Sequence, residues 1–336
     1  DHCYAERQAA RLQHLPAYAR TVNRKWIHGE EGGWTGEVRC LPERLEQPLF
    51  WKPSTVFVGS MSDIFHPKVP FEFIVRVFDA MASTEAHTYM VLTKRPGRMA
   101  YFAEKVWPKQ GGRWEPSRPI DLTWKCLCGW TGESSAMPAN PSGINVCPRC
   151  GGSGNLVSSG VWPGAAWPSN VWAGTSVESQ KYAPRLDCLA RVPAKVRFVS
   201  AEPLLGPLDL RPWFHRCSGC GETPCACKGL AINWVIGGGE SGPGARPCHP
   251  DWARSLRSQC EHVGCAFFWK QWGEWGPDEM APELAHLPNA VNGQSCISIN
   301  AAGEMDDCPG TQIMVKLGKK AAGALLDGRE WREWPE

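Results

Sequence analysis

The sequence predicts an α/β protein, in the form of a partial (β/α)6-type parallel barrel that is N-terminally truncated and carries zinc-ribbon insertions. Two observations support this prediction. Short apolar runs alternate with helix-period runs along the chain, and two cysteine-rich segments without periodicity interrupt the alternation. Continuous apolar strands that alternate with amphipathic helices are typical of a parallel sheet covered on both faces. An open doubly wound sheet fits the same alternation and stays open as an alternative.

Six segments are predicted to be strands because they are short, apolar and rich in β-branched and aromatic residues. They are residues 55–59, 88–93, 170–175, 196–200, 232–236 and 266–270. Helices are predicted between them wherever apolar side chains recur on one helical face, at residues 70–83, 97–107, 178–191 and 251–263. A further helix begins near Tyr4, and we expect it to follow a strand that precedes Asp1.

The predicted domain organisation follows from where the alternation stops. Segments rich in Gly, Pro, Ser and Cys are expected to be insertions between barrel elements. The expected order is 1–107 first part of the barrel, 108–160 zinc-ribbon insertion, 161–211 barrel continued, 212–230 small four-cysteine insertion, 231–275 end of the barrel, and 276–336 C-terminal extension. Residues 276–310 of the extension are expected to be irregular.

The composition excludes some classes of protein. The net charge of +2 gives no global electrostatic footprint for nucleic acid. No run of about 20 apolar residues occurs, so no membrane-spanning segment is predicted. Eight of the 16 cysteines lie in C-x-C and C-x-x-C pairs, a spacing that suits one metal ion better than a disulfide. We therefore expect a reducing, cytoplasmic location.

The first candidate metal site is a zinc ribbon in which two close cysteine pairs supply four thiolates. These are Cys126, Cys128, Cys147 and Cys150. Two such pairs on turns can surround one zinc ion as a tetrahedron. The alternative is that these cysteines are free and buried.

The second candidate metal site lies within the segment CSGCGETPCAC and comprises Cys217, Cys220, Cys225 and Cys227. A compact zinc site with four thiolate ligands is predicted, with an iron–sulfur cluster as the alternative. We expect both zinc sites to be structural, because a catalytic zinc keeps one position open to water. Bound zinc would also stabilise these polar segments, by on the order of 10 kcal/mol.

Each predicted strand ends in, or is directly followed by, polar residues. They are Ser60, Ser62 and Asp63; Lys94 and Arg95; Thr175, Ser176 and Glu178; Glu202; Glu240, which follows three glycines; and Lys270. The carboxyl ends of the strands build the active site in α/β barrels, so these residues are expected to form one constellation. Taken singly, each of them is equally consistent with a cap or a turn. The glycine-rich segment is not a phosphate-binding P-loop, because no Gly-Lys-Ser/Thr follows it.

Several blocks resemble a known family. VFVGSMSDIFHP, YMVLTKRPGRM, VWAGTSVES, RFVSAEPLLGP, WVIGGGESGPGARP and FFWKQWGEW are similar to a phage- and bacteria-associated family of largely unknown function that is named for a three-cysteine motif. That family resembles radical S-adenosylmethionine (SAM) enzymes such as spore photoproduct lyase. Cys3, followed by Tyr4 and Ala5, matches the last cysteine of the motif, and the two preceding cysteines would lie before Asp1.

The resemblance implies a [4Fe–4S] cluster and SAM as cofactors, with Cys3 as one cluster ligand. An electron from the reduced cluster would cleave the sulfonium C–S bond of SAM to give methionine and a 5′-deoxyadenosyl radical. Ser60, Ser62 and Asp63 would replace the usual Gly-Gly-Glu that binds the SAM amino group. Thr175, Ser176 and Glu178 would face the ribose or carboxylate of SAM. Lys94, Glu202 and Glu240 would be catalytic, facing the substrate.

The resulting prediction is a radical-SAM-like enzyme whose substrate is a nucleic acid or a nucleotide, since zinc ribbons and the 18 tryptophans suit base stacking. We expect the chain as it stands, starting at Asp1, to be inactive. The alternative is a non-catalytic zinc-ribbon module, a phage accessory protein that binds nucleic acid or protein. A zinc hydrolase is disfavoured, because only His66 lies near a predicted strand end. The product of a neighbouring gene is a candidate partner.

Overall fold

The computed structural model describes residues 4–22, 33–110, 123–125, 131–133, 149, 166–214, 232–280, 296–304 and 311–336. The chain divides into two compact units. The first comprises Cys3–Ala173 and Arg191–Lys195, and the second comprises Gly174–Ala190 and Val196–Glu336.

The first unit contains helices and strands in alternation. They are α1 (Tyr4–Arg11), β1 (Thr55–Val58), α2 (Phe71–Ala82), β2 (Thr88–Thr93), α3 (Pro96–Tyr101), a π-helical turn (Phe102–Val106), α4 (Trp107–Gln110), β3 (Thr123–Lys125) and β4 (Thr131–Glu133). β1 and β2 pair in parallel, whereas β3 and β4 form an antiparallel pair. Short 3-10 helices occupy Pro42–Arg44 and Gln47–Phe50.

Aromatic side chains form the core of the first unit. The apolar face of α2 is buried, and the Phe78 ring of this helix lies 4.8 Å from Phe102, 5.6 Å from Trp107 and 4.8 Å from Trp167. Tilted and edge-on aromatic pairs at such distances add stabilisation beyond the area they bury. This packing holds α2 against the π-helical turn and the start of α4, and thereby restrains the loops that follow β1 and β2.

A further strand begins in the first unit and ends in the second, and the remaining elements lie in the second unit. They are β5 (Val171–Ser176), α5 (Arg185–Leu189), β6 (Arg197–Ala201), β7 (Trp234–Gly237), α6 (Pro250–Val263), β8 (Ala266–Trp269), β9 (Trp275–Pro277), β10 (Cys296–Ile299), β11 (Gln312–Lys316), α7 (Lys319–Ala322), β12 (Leu325–Leu326) and β13 (Arg329–Glu330). Additional 3-10 turns lie at Gln180–Tyr182, Arg211–Trp213 and Asp278–Met280.

The largest sheet has six strands in the order β1-β2-β5-β6-β7-β8. All six are the predicted strands, and their ends differ from the prediction by two residues at most. Every residue of β6 and β7 is buried, as expected for parallel strands covered on both faces. The prediction of an α/β protein with a parallel sheet is therefore confirmed.

The two faces of the sheet in the second unit differ in what covers them. Helix α6 packs on β7 and β8, and its apolar side chains Trp252 and Leu256 are buried. On the face that carries Phe198, the Trp234 ring lies 6.0 Å from the Phe198 ring and 4.6 Å from the Trp334 ring. An aromatic cluster therefore fills this face near the amino ends of the strands.

Two local predictions are wrong. A single helix over residues 178–191 is not formed, because Pro184 has no N–H and separates the 3-10 turn Gln180–Tyr182 from α5. Residues 276–310 are not irregular throughout, since β9 and β10 lie within them. Together with β11 they form an antiparallel sheet in the order β10-β11-β9.

The last residues of the chain run antiparallel along the edge of β8, which is the terminal strand of the six-stranded sheet. Phe268 and Arg332 form an antiparallel bridge, and the Trp269 amide donates to the Trp331 carbonyl at 3.0 Å. A strand edge left open would be a template for pairing with another chain. The tail therefore covers this edge.

Among the described residues, no helix is both long and apolar enough to cross a membrane.

Candidate functional site

Asp63 lies in the loop after β1 and is surrounded by donors. Its carboxylate accepts hydrogen bonds from the Thr93 hydroxyl at 2.8 and 2.9 Å, and from the Phe65 and Lys94 amides at 2.9 and 3.3 Å. The Arg95 guanidinium lies 2.8 Å from the same carboxylate. The structure therefore connects Asp63 to the end of β2, where its lone pairs are used within the protein.

Other predicted residues of this loop differ in exposure. Ser60, Ser62 and Lys94 are exposed, and the Ser62 amide closes a turn by donating to the Gly59 carbonyl at 2.9 Å. His66 is half-buried, and burial, together with the Arg95 charge, lowers the pKa of its imidazole to about 4. His66 is therefore neutral near pH 7, and its Nδ1 accepts from the Lys68 amide at 3.2 Å.

The residues at the end of β5 and just after it are enclosed. Thr175 and Ser176, the last two residues of β5, lie below the surface, and the buried Glu178 forms an ion pair with the partly exposed Arg185 at 3.1 Å. Arg185 also donates to the Ser176 carbonyl at 2.7 Å, and its guanidinium lies over the Tyr182 ring at 4.3 Å. These contacts fix the segment between β5 and α5.

Glu240 follows β7 and is held by Arg246. The guanidinium donates through Nε and Nη2 to the two carboxylate oxygens at 2.8 and 2.9 Å, and the Arg246 amide adds a third bond at 2.9 Å. Hydrogen bonding to Glu240 raises the pKa of Arg246. A bidentate Arg–carboxylate pair is among the stronger polar contacts in proteins. It closes the loop between these two residues.

Glu202 and Lys270 form the least enclosed pair. Glu202 follows β6, Lys270 follows β8, and the Lys270 Nζ lies 3.1 Å from the Glu202 Oε1. The Ser200 hydroxyl donates to the other oxygen at 3.4 Å. Lys270 keeps 55% of its side chain exposed, against 19% for Glu202. The pair therefore combines a sheltered carboxylate with an accessible ammonium group.

Glycines provide the space beneath this pair. A Cβ atom at Gly238 would lie 3.1 Å from the Glu202 Oε1, and one at Gly239 would lie 1.8 Å from the Trp272 carbonyl oxygen. Gly238 thus lets the Glu202 carboxylate lie against the backbone of β7. Gly239 lets the chain that follows β8 approach, and its amide donates to the Gln271 carbonyl at 2.8 Å.

The structure brings together some predicted residues and adds others. In the second unit, Glu202 and Lys270 meet beside Gly238, and Gln271 reaches the loop that contains Glu240 through a 2.9 Å bond to Ser241. In the first unit, Asp63 meets Thr93, Lys94 and Arg95. The partners that sequence reasoning missed are Arg185 and Arg246. Their cationic charge a few residues after a predicted glutamate is the available signal.

The predicted cofactor and zinc cysteines lie outside the described residues. They are Cys3, Cys126, Cys128, Cys147, Cys150, Cys217, Cys220, Cys225 and Cys227. Within the described ranges, no group of three or more His, Cys, Asp and Glu side chains is placed to hold a metal ion. The candidate metal ligands therefore remain those predicted from cysteine spacing.

Fold and site together define an α/β protein with a parallel sheet and paired charges at its strand ends. The chain belongs to a family of proteins of unknown function, DUF5131, whose model matches residues 1–335. A search of curated proteins finds no match, and a search of solved structures finds none either.

Proposed function

We propose that this protein is a radical-SAM-like enzyme whose sheet is part of a (β/α)-type barrel. The observation that carries the proposal is the position of the Cys3-Tyr4-Ala5 match: α1 begins at Tyr4, directly after the cysteine, and precedes the parallel sheet. A thiolate just before a helix is favoured by the partial positive charge of the helix N-terminus. The paired charges after the strands lie where α/β barrels place their catalytic groups.

The residues present do not by themselves complete a cluster site. Cys3 supplies one thiolate, whereas the family motif has three cysteines. Within the described ranges, no cysteine belongs to a group of three or more His, Cys, Asp and Glu side chains that could hold a metal ion. We therefore derive no chemical step through the cluster, and assign roles only to the side chains after the strands.

Glu202 and Lys270 are the groups best placed to act on a substrate in the second unit. A sheltered carboxylate can accept a proton or a hydrogen bond from a ligand, and the accessible ammonium group can donate to an anionic one. Glu240 and Glu178 instead hold Arg246 and Arg185, which makes them positioning residues. We propose the same positioning role for Asp63 in the first unit.

The proposal is tested with the complete product of the gene, purified without oxygen and reconstituted with iron and sulfide. We expect the visible absorption of an iron–sulfur cluster, and 5′-deoxyadenosine from SAM in the presence of dithionite. The variant Cys3→Ala should lose both, whereas Cys40→Ala, at a free thiol outside the motif, should keep both. Absence of deoxyadenosine from the wild-type protein, or its undiminished formation by Cys3→Ala, would overturn the proposal.

A second proposal concerns zinc. The antiparallel pair β3 and β4 flanks Cys126 and Cys128 in the sequence, as expected for a zinc ribbon whose first cysteine pair lies in a hairpin turn. This observation also favours the alternative function, a zinc-ribbon module that binds nucleic acid or protein. Such a module would keep its zinc but form no deoxyadenosine.

Metal analysis tests the zinc proposal directly. We expect about two zinc ions per chain, one for each set of four cysteines. The double variant Cys126→Ser/Cys128→Ser should lose about one of them, and a wild-type content near zero would contradict both sites. We also propose a cytoplasmic location, because the adjacent cysteines Cys260 and Cys265 are not joined in a disulfide.

A further inference from the structure

In the second unit, three glutamates that follow strands share one arrangement. In each pair the carboxylate is the more buried group and the cation the more exposed one. The side-chain exposures are 9% for Glu240 against 58% for Arg246, and 19% for Glu202 against 55% for Lys270. Glu178 and Arg185 follow the same order but are more enclosed. The outward-facing groups are therefore the positive ones.

Arg246 is held by one edge of its guanidinium. Nε and Nη2 donate to Glu240, while Nη1 has no partner among the described residues. A guanidinium fixed in this way keeps its planar fork in one orientation, with donors left for a second anion. The bond from the Arg246 amide to the same carboxylate fixes the backbone as well.

The backbone of Lys270 is likewise held by hydrogen bonds, whereas its ammonium group is accessible. Its amide donates to the Gly237 carbonyl at 2.8 Å, and Arg332 from the C-terminal tail donates to its carbonyl at 3.4 Å. The ammonium group has three N–H donors, and Glu202 is its one acceptor within the described ranges. Donors therefore remain for a ligand.

A short chain of contacts joins the two cations. Gln271, the residue after Lys270, accepts from the Gly239 amide at 2.8 Å and donates to the Ser241 hydroxyl at 2.9 Å. These two contacts bracket Glu240, which holds Arg246. Lys270 and Arg246 thus belong to neighbouring segments at the carboxyl ends of β8 and β7.

We propose that Lys270 and Arg246 bind the phosphate of a nucleotide or of a nucleic-acid backbone. An arginine fork and a lysine point charge are the two side-chain types that recognise phosphate, which carries one negative charge in a backbone diester and up to two at a terminal position. Glu240 holds Arg246, and Glu202 holds Lys270, in place before a ligand arrives. This inference deepens the proposed function by naming the chemistry of its substrate.

The test is binding of a fluorescently labelled single-stranded oligonucleotide to the full chain, followed by anisotropy at several salt concentrations. Lys270→Gln and Arg246→Gln should each weaken binding about fivefold at about 0.1 M salt, because each lost phosphate contact removes about 0.7 from the salt slope. Arg211→Gln is the matched control, since Arg211 forms an exposed ion pair with Asp209 and, among the described residues, has no hydrogen bond or ion pair with Glu202, Glu240, Arg246 or Lys270. It should bind like the wild type.

Competition separates the two sources of phosphate. An unlabelled mononucleotide that displaces the oligonucleotide at similar concentration would indicate a nucleotide substrate, and displacement only by longer strands would indicate a nucleic-acid backbone. The variant Arg246→Lys tests whether weak binding by Arg246→Gln reflects misfolding or the lost charge, because it keeps the charge but loses the planar guanidinium. It should recover part of the affinity lost in Arg246→Gln.

Two results would overturn the inference: wild-type protein that binds no phosphate probe, or Lys270→Gln and Arg246→Gln variants that bind as tightly as Arg211→Gln. Both measurements are made without SAM or a reconstituted cluster. A protein that binds no phosphate can therefore still form deoxyadenosine. A protein that does not cleave SAM can still bind phosphate, so the two proposals can fail separately.

Discussion

Asp63 and Glu202 are both carboxylates that follow strands of the parallel sheet, yet their surroundings differ. Asp63 is enclosed by a hydroxyl, two backbone amides and the Arg95 guanidinium. Glu202 has one long hydrogen bond from Ser200 and one accessible partner, Lys270. A carboxylate whose lone pairs all accept hydrogen bonds from the protein holds a loop in place. A carboxylate with unused lone pairs can also accept a hydrogen bond from a ligand. Position after a strand is therefore not enough to assign function.

The largest effect on stability is expected where the enclosed carboxylate is removed. Asp63→Ala should lower the free energy of unfolding by about 3 kcal/mol, because it leaves Thr93 and Arg95 without their acceptor. Asp209→Ala, which breaks an exposed pair with Arg211, should cost less than about 1 kcal/mol. Urea unfolding measures both, and equal losses in the two variants would refute the distinction.

The two neighbouring glycines after β7 show the same difference between a structural and a functional position. Gly239→Ala should destabilise the protein by about 2–3 kcal/mol, because its Cβ would lie 1.8 Å from the Trp272 carbonyl oxygen. Gly238→Ala meets the Glu202 carboxylate at 3.1 Å, a side chain that can shift. We expect little loss of stability there but altered ligand binding. Thermal unfolding and the oligonucleotide assay separate the two outcomes.

Removing the charge of Glu202, the carboxylate with fewer hydrogen bonds, should have the reverse pattern to Asp63→Ala: a small effect on stability and a large one on function. Glu202→Gln should change the free energy of unfolding by less than about 1 kcal/mol, because its ion pair is accessible to water. Substrate binding or turnover should fall markedly, since Lys270 loses the group that positions it. Glu104→Gln, at the exposed pair with Arg191, is the control and should leave both unchanged. A large loss of stability in Glu202→Gln would instead make Glu202 structural.

The effect that is smallest near pH 7, and that grows only as the pH is lowered, is expected from His66, beside the enclosed cluster. Its pKa is lowered from the ordinary 6.5 to about 4, first by burial and then by Arg95. The unfolded chain therefore takes up a proton between these values before the folded protein does, so stability should fall as pH decreases from about 6.5 to about 4. His66→Gln should flatten this part of the profile. An unchanged pH dependence in the variant would mean that other groups cause it.

The sheet could be predicted because each strand is a continuous apolar run bounded by polar or glycine residues. The run 88–93 and the strand Thr88–Thr93 coincide, and the other strands agree within two residues. The break in the predicted helix over residues 178–191 was missed, because the prediction rested on the spacing of apolar residues and ignored the proline at position 184. The small strands β9 and β10 lack a periodic pattern of their own and are stabilised by packing of Trp275, Ile299 and Met314.

The sequence predicted where the carboxylates of the candidate site lie, but it did not predict which of them hold a loop and which can bind a ligand. The sequence places Asp63, Glu202 and Glu240 after strands, which the structure reproduces. Which of them is enclosed depends on partners distant in sequence, such as Arg95 for Asp63 and Lys270 for Glu202. Periodicity and motif spacing carry no information on such pairs.

The pairing of residues 331–334 with β8 affects folding during synthesis of the chain. Because residues 331–334 supply the neighbour of β8, the edge of this strand cannot be covered until these residues have emerged from the ribosome. Until then β8 presents an open ladder of amides and carbonyls, the kind of surface at which nascent chains associate wrongly. Truncation before Trp331 should therefore reduce the yield of soluble protein more than the few lost contacts suggest.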